Sequence, residues 1–157
     1  MALQKPKREG RKKYYCSVNG TDFQFSSIVA LAHNSLIGET MNPIHYLIAF
    51  ALSHAVAQVE SRGNACAYNK AEDAAGCMQI RPIMVAEAQR LGLNFTLDDR
   101  WDCEKSKALF VAIQIVKGRT EPEAMARCWN GGPNGMKKES TQAYWEKVKK
   151  QLKQSNQ

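Results

Sequence analysis

Residues 44–59 read IHYLIAFALSHAVAQV and give the strongest structural signal in the chain. Apolar side chains recur there at steps of three and four residues, which is the periodicity of an α-helix with a broad apolar face. The apolar positions are Ile44, Leu47, Ile48, Ala51, Leu52, Ala55, Val56 and Val59. We therefore predict a central, buried helix that stops near the sequence Glu60-Ser61-Arg62-Gly63.

Helical patterns continue towards the C-terminus. Residues 64–76 carry the short polar and small side chains of a loop. Pro82 suits the first turn of a helix, and Asp102 suits an N-cap. Residues 130–135 read NGGPNG, which no regular element accepts. The helices predicted from these signals cover residues 82–91, 102–117, 121–128 and 140–153.

Towards the N-terminus the pattern changes from helix to hairpin. Residues 14–18 and 21–25 flank Asn19-Gly20, a dipeptide that favours a two-residue hairpin turn. A further helix is predicted between this hairpin and the break at Gly38, over residues 26–37. The predicted fold class is mainly α, with a small N-terminal β-hairpin.

Length and composition indicate one globular domain. The chain has 157 residues, of which 44% are hydrophobic and 24% charged, and this balance excludes a multi-domain, disordered or fibrous protein. No apolar run approaches the roughly 20 residues that cross a bilayer. We predict a single domain over residues 14–154, preceded by a basic flexible leader at residues 1–13.

Positive charge is concentrated at both ends of the chain. Residues 1–13 hold six bases and one acid, and residues 137–157 hold six bases and two acids. Such ends attract polyanions, whether nucleic acid, an acidic membrane or an anionic wall polymer, although a solubilising tail gives the same composition. The leader lacks the apolar segment of a signal peptide, so the chain is expected not to direct its own export by the common route.

Cysteine and histidine usage argues against a metal centre. The five cysteines are an odd number, so at least one is unpaired within a monomer, and they include no CxxC motif. With three histidines besides, a structural zinc site is not expected, and neither is any cofactor. The cysteine count does not decide between an oxidising and a reducing compartment.

Glu60 is the candidate catalytic group. It stands where a strongly apolar helix meets a polar loop, so its carboxyl is expected at the edge of the core, facing a cleft. Apolar surroundings raise the pKa of a carboxyl, which is what a general acid at neutral pH requires. The alternative is an exposed glutamate at a helix end, and only the context of Glu60 distinguishes the two.

That context is a series of four short motifs. Glu60-Ser61 is followed by GCMQIRP at residues 76–82, WNGGP at 129–133 and TQAY at 141–144. The series resembles the ES, G-L-M-Q-I-x-P, A-Y-N-x-G-P and Thr-x-x-Tyr motifs of the soluble lytic transglycosylase (SLT) and goose-type lysozyme family, over about residues 44–150. The chain departs from these motifs at Cys77, Cys128, Trp129 and Ser140. Trp129 replaces the usual Tyr and lacks the hydroxyl that a Tyr could offer to Glu60.

The resemblance implies a lysozyme-like α-helical domain that cleaves peptidoglycan. It implies that Glu60 alone acts as acid and base on the β-1,4 bond between N-acetylmuramic acid and N-acetylglucosamine, and that the product is a 1,6-anhydro sugar. Gly76 is expected to let the backbone approach the glycan closely. The implied substrate-binding residues are Ser61, Met78, Gln79, Trp129, Asn130 and Tyr144. Helix termination for Ser61 and core packing for Met78 and Tyr144 are the structural alternatives.

Two rival functions remain open. Lysozyme-type hydrolysis of the same bond needs a base to activate water, and Glu72 and Asp73 are candidates, although solvated loop charges are the better explanation of the pair. A basic nucleic-acid-binding protein explains the charged ends but leaves the motif series as coincidence. The expected partner is the peptidoglycan strand, with contact to anionic wall, membrane or virion through the basic ends and no specific nucleic acid. Delivery to the cell wall is expected through a phage particle, holin-dependent lysis or a secretion apparatus.

Overall fold

A computed structural model describes residues 42–154, and these residues form a helical body around the predicted central helix. The helices are α1 (Pro43–Ser61), α2 (Pro82–Arg90), α3 (Cys103–Val116), α4 (Pro122–Gly131) and α5 (Ser140–Gln154). The mainly α fold class is confirmed. The predicted hairpin at 14–25, the helix at 26–37 and the leader at 1–13 lie outside the described residues.

Helix α1 begins and ends through local capping. The Asn42 side chain accepts a hydrogen bond from the backbone N–H of Ile44 at 3.0 Å, and Pro43 occupies the first turn. At the other end, Arg62 adopts a left-handed conformation, and its N–H donates to the carbonyl of Gln58. Helices α3, α4 and α5 all pack against α1. Glu60 therefore lies in the last turn of the helix around which the domain is organised.

The buried face of α1 is narrower than the sequence predicts. Its fully buried positions include Ala49, Leu52 and Val56, which follow one another at three- and four-residue steps. Ile44 and Leu47, by contrast, are 59% and 61% exposed. They lie on a different stripe of the helix, so the prediction that the whole apolar face is buried is wrong for the first turns.

A small sheet occupies the segment that the sequence predicts to be a loop. Strands β1 (Tyr68–Asn69) and β2 (Ala74–Ala75) are antiparallel, with Tyr68 opposite Ala75. The buried guanidinium of Arg100 donates to the carbonyl of Asp73 at 2.7 Å and so holds the turn between the strands. Because this support comes from 27 residues away, no local sequence pattern could show it.

The remaining helices agree with the sequence except at one end. Asp102 caps α3 as predicted, accepting from the N–H groups of Glu104 and Lys105. Helix α4 runs three residues beyond the predicted end, so Asn130 belongs to its last turn and not to the following loop. Short 3₁₀ segments precede α3 and α5, at Asp98–Trp101 and Gly135–Lys137. Within residues 42–154, no helix combines the length and the apolar character needed to cross a membrane.

Candidate active site

Glu60 opens into a cavity of about 220 Å³, here called the Glu60 pocket. The walls come from four segments: the end of α1, the two strands, the first turn of α2 with the residues just before it, and the end of α4. Of the predicted site residues, this pocket brings together Glu60, Gln79, Trp129 and Asn130. The α1 carboxyl therefore faces a groove shared with the two motifs that follow it in the sequence.

Tyr144 holds the Glu60 carboxyl through a hydrogen bond. Its hydroxyl donates to Glu60 Oε1 at 2.8 Å, across 84 residues of sequence. Burial and the neighbouring Glu60 both raise the pKa of Tyr144, so the phenol keeps its proton and acts as the donor. The hydroxyl that Trp129 cannot supply is thus supplied by the last motif.

The environment of Glu60 favours its protonated form. Desolvation by burial raises the pKa of Glu60 above its usual 4.5, and this effect outweighs all others. The Tyr144 hydrogen bond and the charge of Arg81 act in the opposite direction, whereas Glu72 raises the pKa further. A carboxyl with a raised pKa in a pocket has the properties of a general acid.

Ser61 and Gln79 shape the turn at residues 76–79, which belongs to the second motif. The Ser61 hydroxyl donates to the carbonyl of Cys77 at 2.9 Å, which ties the end of α1 to this turn. Gln79 has a left-handed backbone with φ of 47°, and its Nε2 donates to the carbonyl of Gly76 at 2.9 Å. A disulfide from Cys77 to Cys103 anchors the same turn to α3. The turn is therefore anchored at Cys77, and the hydrogen bond to Gly76 fixes the Gln79 side chain.

Arg127 organises the connection between α4 and α5. Its buried guanidinium donates to Thr141 Oγ1 at 2.9 Å and to the carbonyls of Met136 and Lys138. Thr141 lies one helical turn before Tyr144, so this network fixes the start of the helix that carries the Glu60 partner. Within the fourth motif, Thr141 consequently stabilises the start of α5, whereas Tyr144 contacts Glu60.

Three predicted site features are placed differently from the expectation. Met78 is 0% exposed and lies in the core, away from the pocket walls. Ser61 makes a backbone contact and does not line the pocket. Gly76 approaches protein and not an open groove, because a Cβ there would overlap the carbonyl oxygen of Arg100.

Sequence reasoning missed several members of the site. Arg81 and Asn69 line the pocket, and neither they nor Arg127 are predicted as site residues from the sequence. Arg81 could have been noticed, since it occupies the variable position of the second motif. Arg127 makes a local pair with Glu123, but its bonds to the following loop and to α5 depend on the fold and carry no such signal. No group of three or more His, Cys, Asp and Glu in residues 42–154 is placed to hold a metal ion.

Replacing Tyr144 by Phe tests the electrostatic control of Glu60. The hydrogen bond from Tyr144 lowers the pKa of Glu60, so its removal should raise that pKa further. Activity that requires protonated Glu60 falls as the pH rises through this pKa, and the basic limb of the pH–activity profile should therefore move to higher pH. We expect kcat/KM to fall about tenfold, since the carboxylate loses a charge-assisted hydrogen bond. An unchanged basic limb would show that Tyr144 only fills space.

A mainly helical domain with a largely buried acid in a pocket at the end of its central helix is consistent with a lysozyme-like domain. The family model described as Transglycosylase SLT domain matches residues 45–152, and the chain belongs to this family. As a member of this family, the chain has peptidoglycan as its substrate class, and its general activity is cleavage of glycosidic bonds as a transglycosylase. The comparison with curated proteins and the comparison with solved structures each gave no match.

Proposed function

We propose that the protein is a lytic transglycosylase that cleaves the β-1,4 bond between N-acetylmuramic acid and N-acetylglucosamine, with Glu60 as its only acid and base. The observation that carries the proposal is the Glu60 carboxyl, which is largely buried, lines the pocket and accepts a hydrogen bond from Tyr144. Glu72, the other carboxylate among the described lining residues, is 57% exposed. Of the two groups, only Glu60 therefore has the desolvated surroundings that a general acid needs.

In the proposed mechanism, Glu60 first donates a proton to the substrate and then accepts one from it. Protonated Glu60 donates to the glycosidic oxygen, the bond to C1 breaks, and an oxocarbenium-like centre forms on the muramic acid ring. Glu60, now a carboxylate stabilised by Tyr144, accepts the proton of the C6 hydroxyl as that oxygen attacks C1. The 1,6-anhydro sugar forms without water, and Glu60 is protonated again. Intramolecular attack is favoured by an effective concentration worth on the order of 7–11 kcal/mol in well-oriented cases.

The polar pocket walls suit an N-acetylated sugar. The Asn130 amide offers a donor and an acceptor to the groups of an acetamido sugar. Gln79 offers its amide oxygen as an acceptor, because its Nε2 already donates to backbone carbonyls of the protein. Trp129 is only 7% exposed and packs edge-on against Phe110, with ring centroids 5.1 Å apart. In the proposed complex, Trp129 therefore offers the sugar an edge of its ring and not a broad stacking platform.

Hydrolysis is the second candidate, and one observation favours it. Glu72 lines the same pocket as Glu60, where a carboxylate could activate water. Against this role, Glu72 is an exposed side chain, and its carboxylate makes a long contact of 3.9 Å with the Arg81 guanidinium. The transglycosylase mechanism needs no second carboxylate and is the one we propose.

The mass of the reaction products decides between the two mechanisms. Purified peptidoglycan is digested with the protein, and the soluble muropeptides are analysed by mass spectrometry. We expect anhydro products, each lighter by one water than the corresponding hydrolysis product, and we expect Glu72→Gln to keep the same products at a similar rate. Reducing-end products that disappear in Glu72→Gln would establish hydrolysis instead.

We also propose that the protein acts outside the reducing cytoplasm, on the bacterial cell wall. The Cys77–Cys103 disulfide and the disulfide-bonded state of Cys66 support this proposal, because such bonds persist mainly in oxidising compartments. Cys128 is a buried free thiol. Delivery by a phage particle, holin-dependent lysis or a secretion apparatus, and anchoring of the basic ends to anionic wall polymer, are parts of the same proposal.

A further inference from the structure

Arg81 provides the positive charge of the Glu60 pocket. It is the only lysine or arginine among the described residues that line the pocket, and its side chain is 45% exposed. The residue lies just before α2, and its side chain does not cap that helix. Arg81 therefore places an exposed positive charge in a pocket that also holds the carboxyls of Glu60 and Glu72.

The Arg81 guanidinium is weakly engaged by its own protein. Its one ion pair is to Glu72 at 3.9 Å, between two exposed side chains, and it makes no side-chain hydrogen bond within residues 42–154. Buried Arg100 and Arg127, in contrast, each donate several hydrogen bonds that hold loops in place. An exposed pair at such a distance contributes little to stability, so Arg81 has no comparable structural role.

From this geometry we infer that Arg81 determines specificity by binding a carboxylate of the glycan substrate. A guanidinium offers a planar fork of donors that matches a carboxylate, and an incoming carboxylate competes only with a loose contact to Glu72. The inference rests on the proposed function, because peptidoglycan supplies the carboxylate. Two sources share this chemistry: the free lactyl group of peptide-free muramic acid, and the acids of the stem peptide.

Carboxylate binding also couples substrate recognition to the acid. The charge of Arg81 lowers the pKa of Glu60, as Coulomb attraction between the guanidinium and the carboxylate form requires. A substrate carboxylate on Arg81 neutralises much of that charge. The Glu60 pKa then rises in the complex, which favours the protonated form when substrate is bound.

The test compares Arg81→Gln with Arg90→Gln, a matched control at the other end of α2 whose exposed guanidinium pairs with Glu87. Three substrates are used: glycan strands stripped of peptides, the same strands with the lactyl carboxylates converted to neutral amides, and peptide-bearing strands. We expect Arg81→Gln to raise KM about tenfold on one carboxylate-bearing substrate, which corresponds to about 1.4 kcal/mol, with kcat changed less than twofold at the pH optimum. Arg90→Gln should leave KM unchanged on all three.

Each outcome either supports or overturns the inference. A KM effect confined to stripped strands identifies the lactyl carboxylate, and an effect confined to peptide-bearing strands identifies the stem. Equal KM values for Arg81→Gln and wild type on all substrates overturn the inference while leaving the proposed function intact. If the wild type cleaves no glycan, the proposed function fails, and calorimetric Kd values of Glu60→Gln and Glu60→Gln/Arg81→Gln for the three glycans decide the role of Arg81 separately.

Discussion

Glu60→Gln should reduce glycan cleavage by at least about 10³-fold, because the proposed mechanism takes both proton transfers from this one carboxyl. The amide has nearly the same shape and still accepts a hydrogen bond from Tyr144, but it has no acidic proton to donate. The measurement is the initial rate of muropeptide release from purified peptidoglycan. Glycan binding should persist within a few-fold of the wild-type Kd.

The stability of this variant should depend on pH in a defined direction. The pKa of Glu60 is raised in the folded protein, so the folded state binds the proton more tightly than the unfolded chain does. The stabilisation of the wild type by protonated Glu60 is complete below the ordinary value of 4.5, and it is lost as the pH rises through the folded pKa. The Tm of Glu60→Gln relative to wild type should therefore increase as the pH rises.

A surface substitution provides the control for the Glu60 variant. Glu146 on α5 is exposed and pairs with Lys149, so Glu146→Gln changes the same chemical group outside the pocket. We expect its cleavage rate and Tm to match the wild type within error. If Glu60→Gln retained more than a tenth of the wild-type rate, another group would have to act as the acid, and the assignment of the site would be wrong.

The parts of the fold that follow from the sequence are those with local causes. The apolar periodicity of 44–59 predicts α1, and Asp102 and Pro82 predict the starts of α3 and α2, because each signal acts within one helical turn. The exposed Ile44 and Leu47 show where this reasoning stops. Periodicity indicates an apolar face, but the tertiary fold determines which part of that face is covered by other elements.

In the candidate site as well, some residues follow from local sequence signals and others depend on the tertiary fold. Glu60, Gln79 and Asn130 could be selected from their motifs, and the structure places all three around one pocket. The hydrogen bond from Tyr144 to Glu60 joins the two ends of the described domain, so the motif identifies the residue but not its contact. Arg127 could not be found from the sequence, since its function depends on carbonyls of the following loop, whose path no local pattern predicts.

Gly76→Ala should destabilise the protein by at least about 3 kcal/mol, because strain and steric overlap add at this position. The glycine has φ of 76°, which disfavours any side chain, and an added Cβ would overlap the backbone carbonyl of Arg100. A backbone atom cannot move aside as the end of a flexible side chain can. Equilibrium unfolding in urea measures the loss, and the midpoint should fall sharply without a change in the number of transitions.

Gly92→Ala separates strain from overlap, since Gly92 has nearly the same φ, 78°, and nothing within 4 Å of the added Cβ. The control should lose only about 1–2 kcal/mol, the penalty for a left-handed backbone. The excess in Gly76→Ala then measures the contact between the turn of the second motif and the Arg100 segment, which also holds the β1–β2 turn. Because Gln79 Nε2 donates to the Gly76 carbonyl, displacing Gly76 should also displace Gln79, and KM should rise in whatever fraction of the variant still folds. Equal losses of stability in the two variants would mean that the Arg100 segment moves aside readily and that its contact with Gly76 adds no stability.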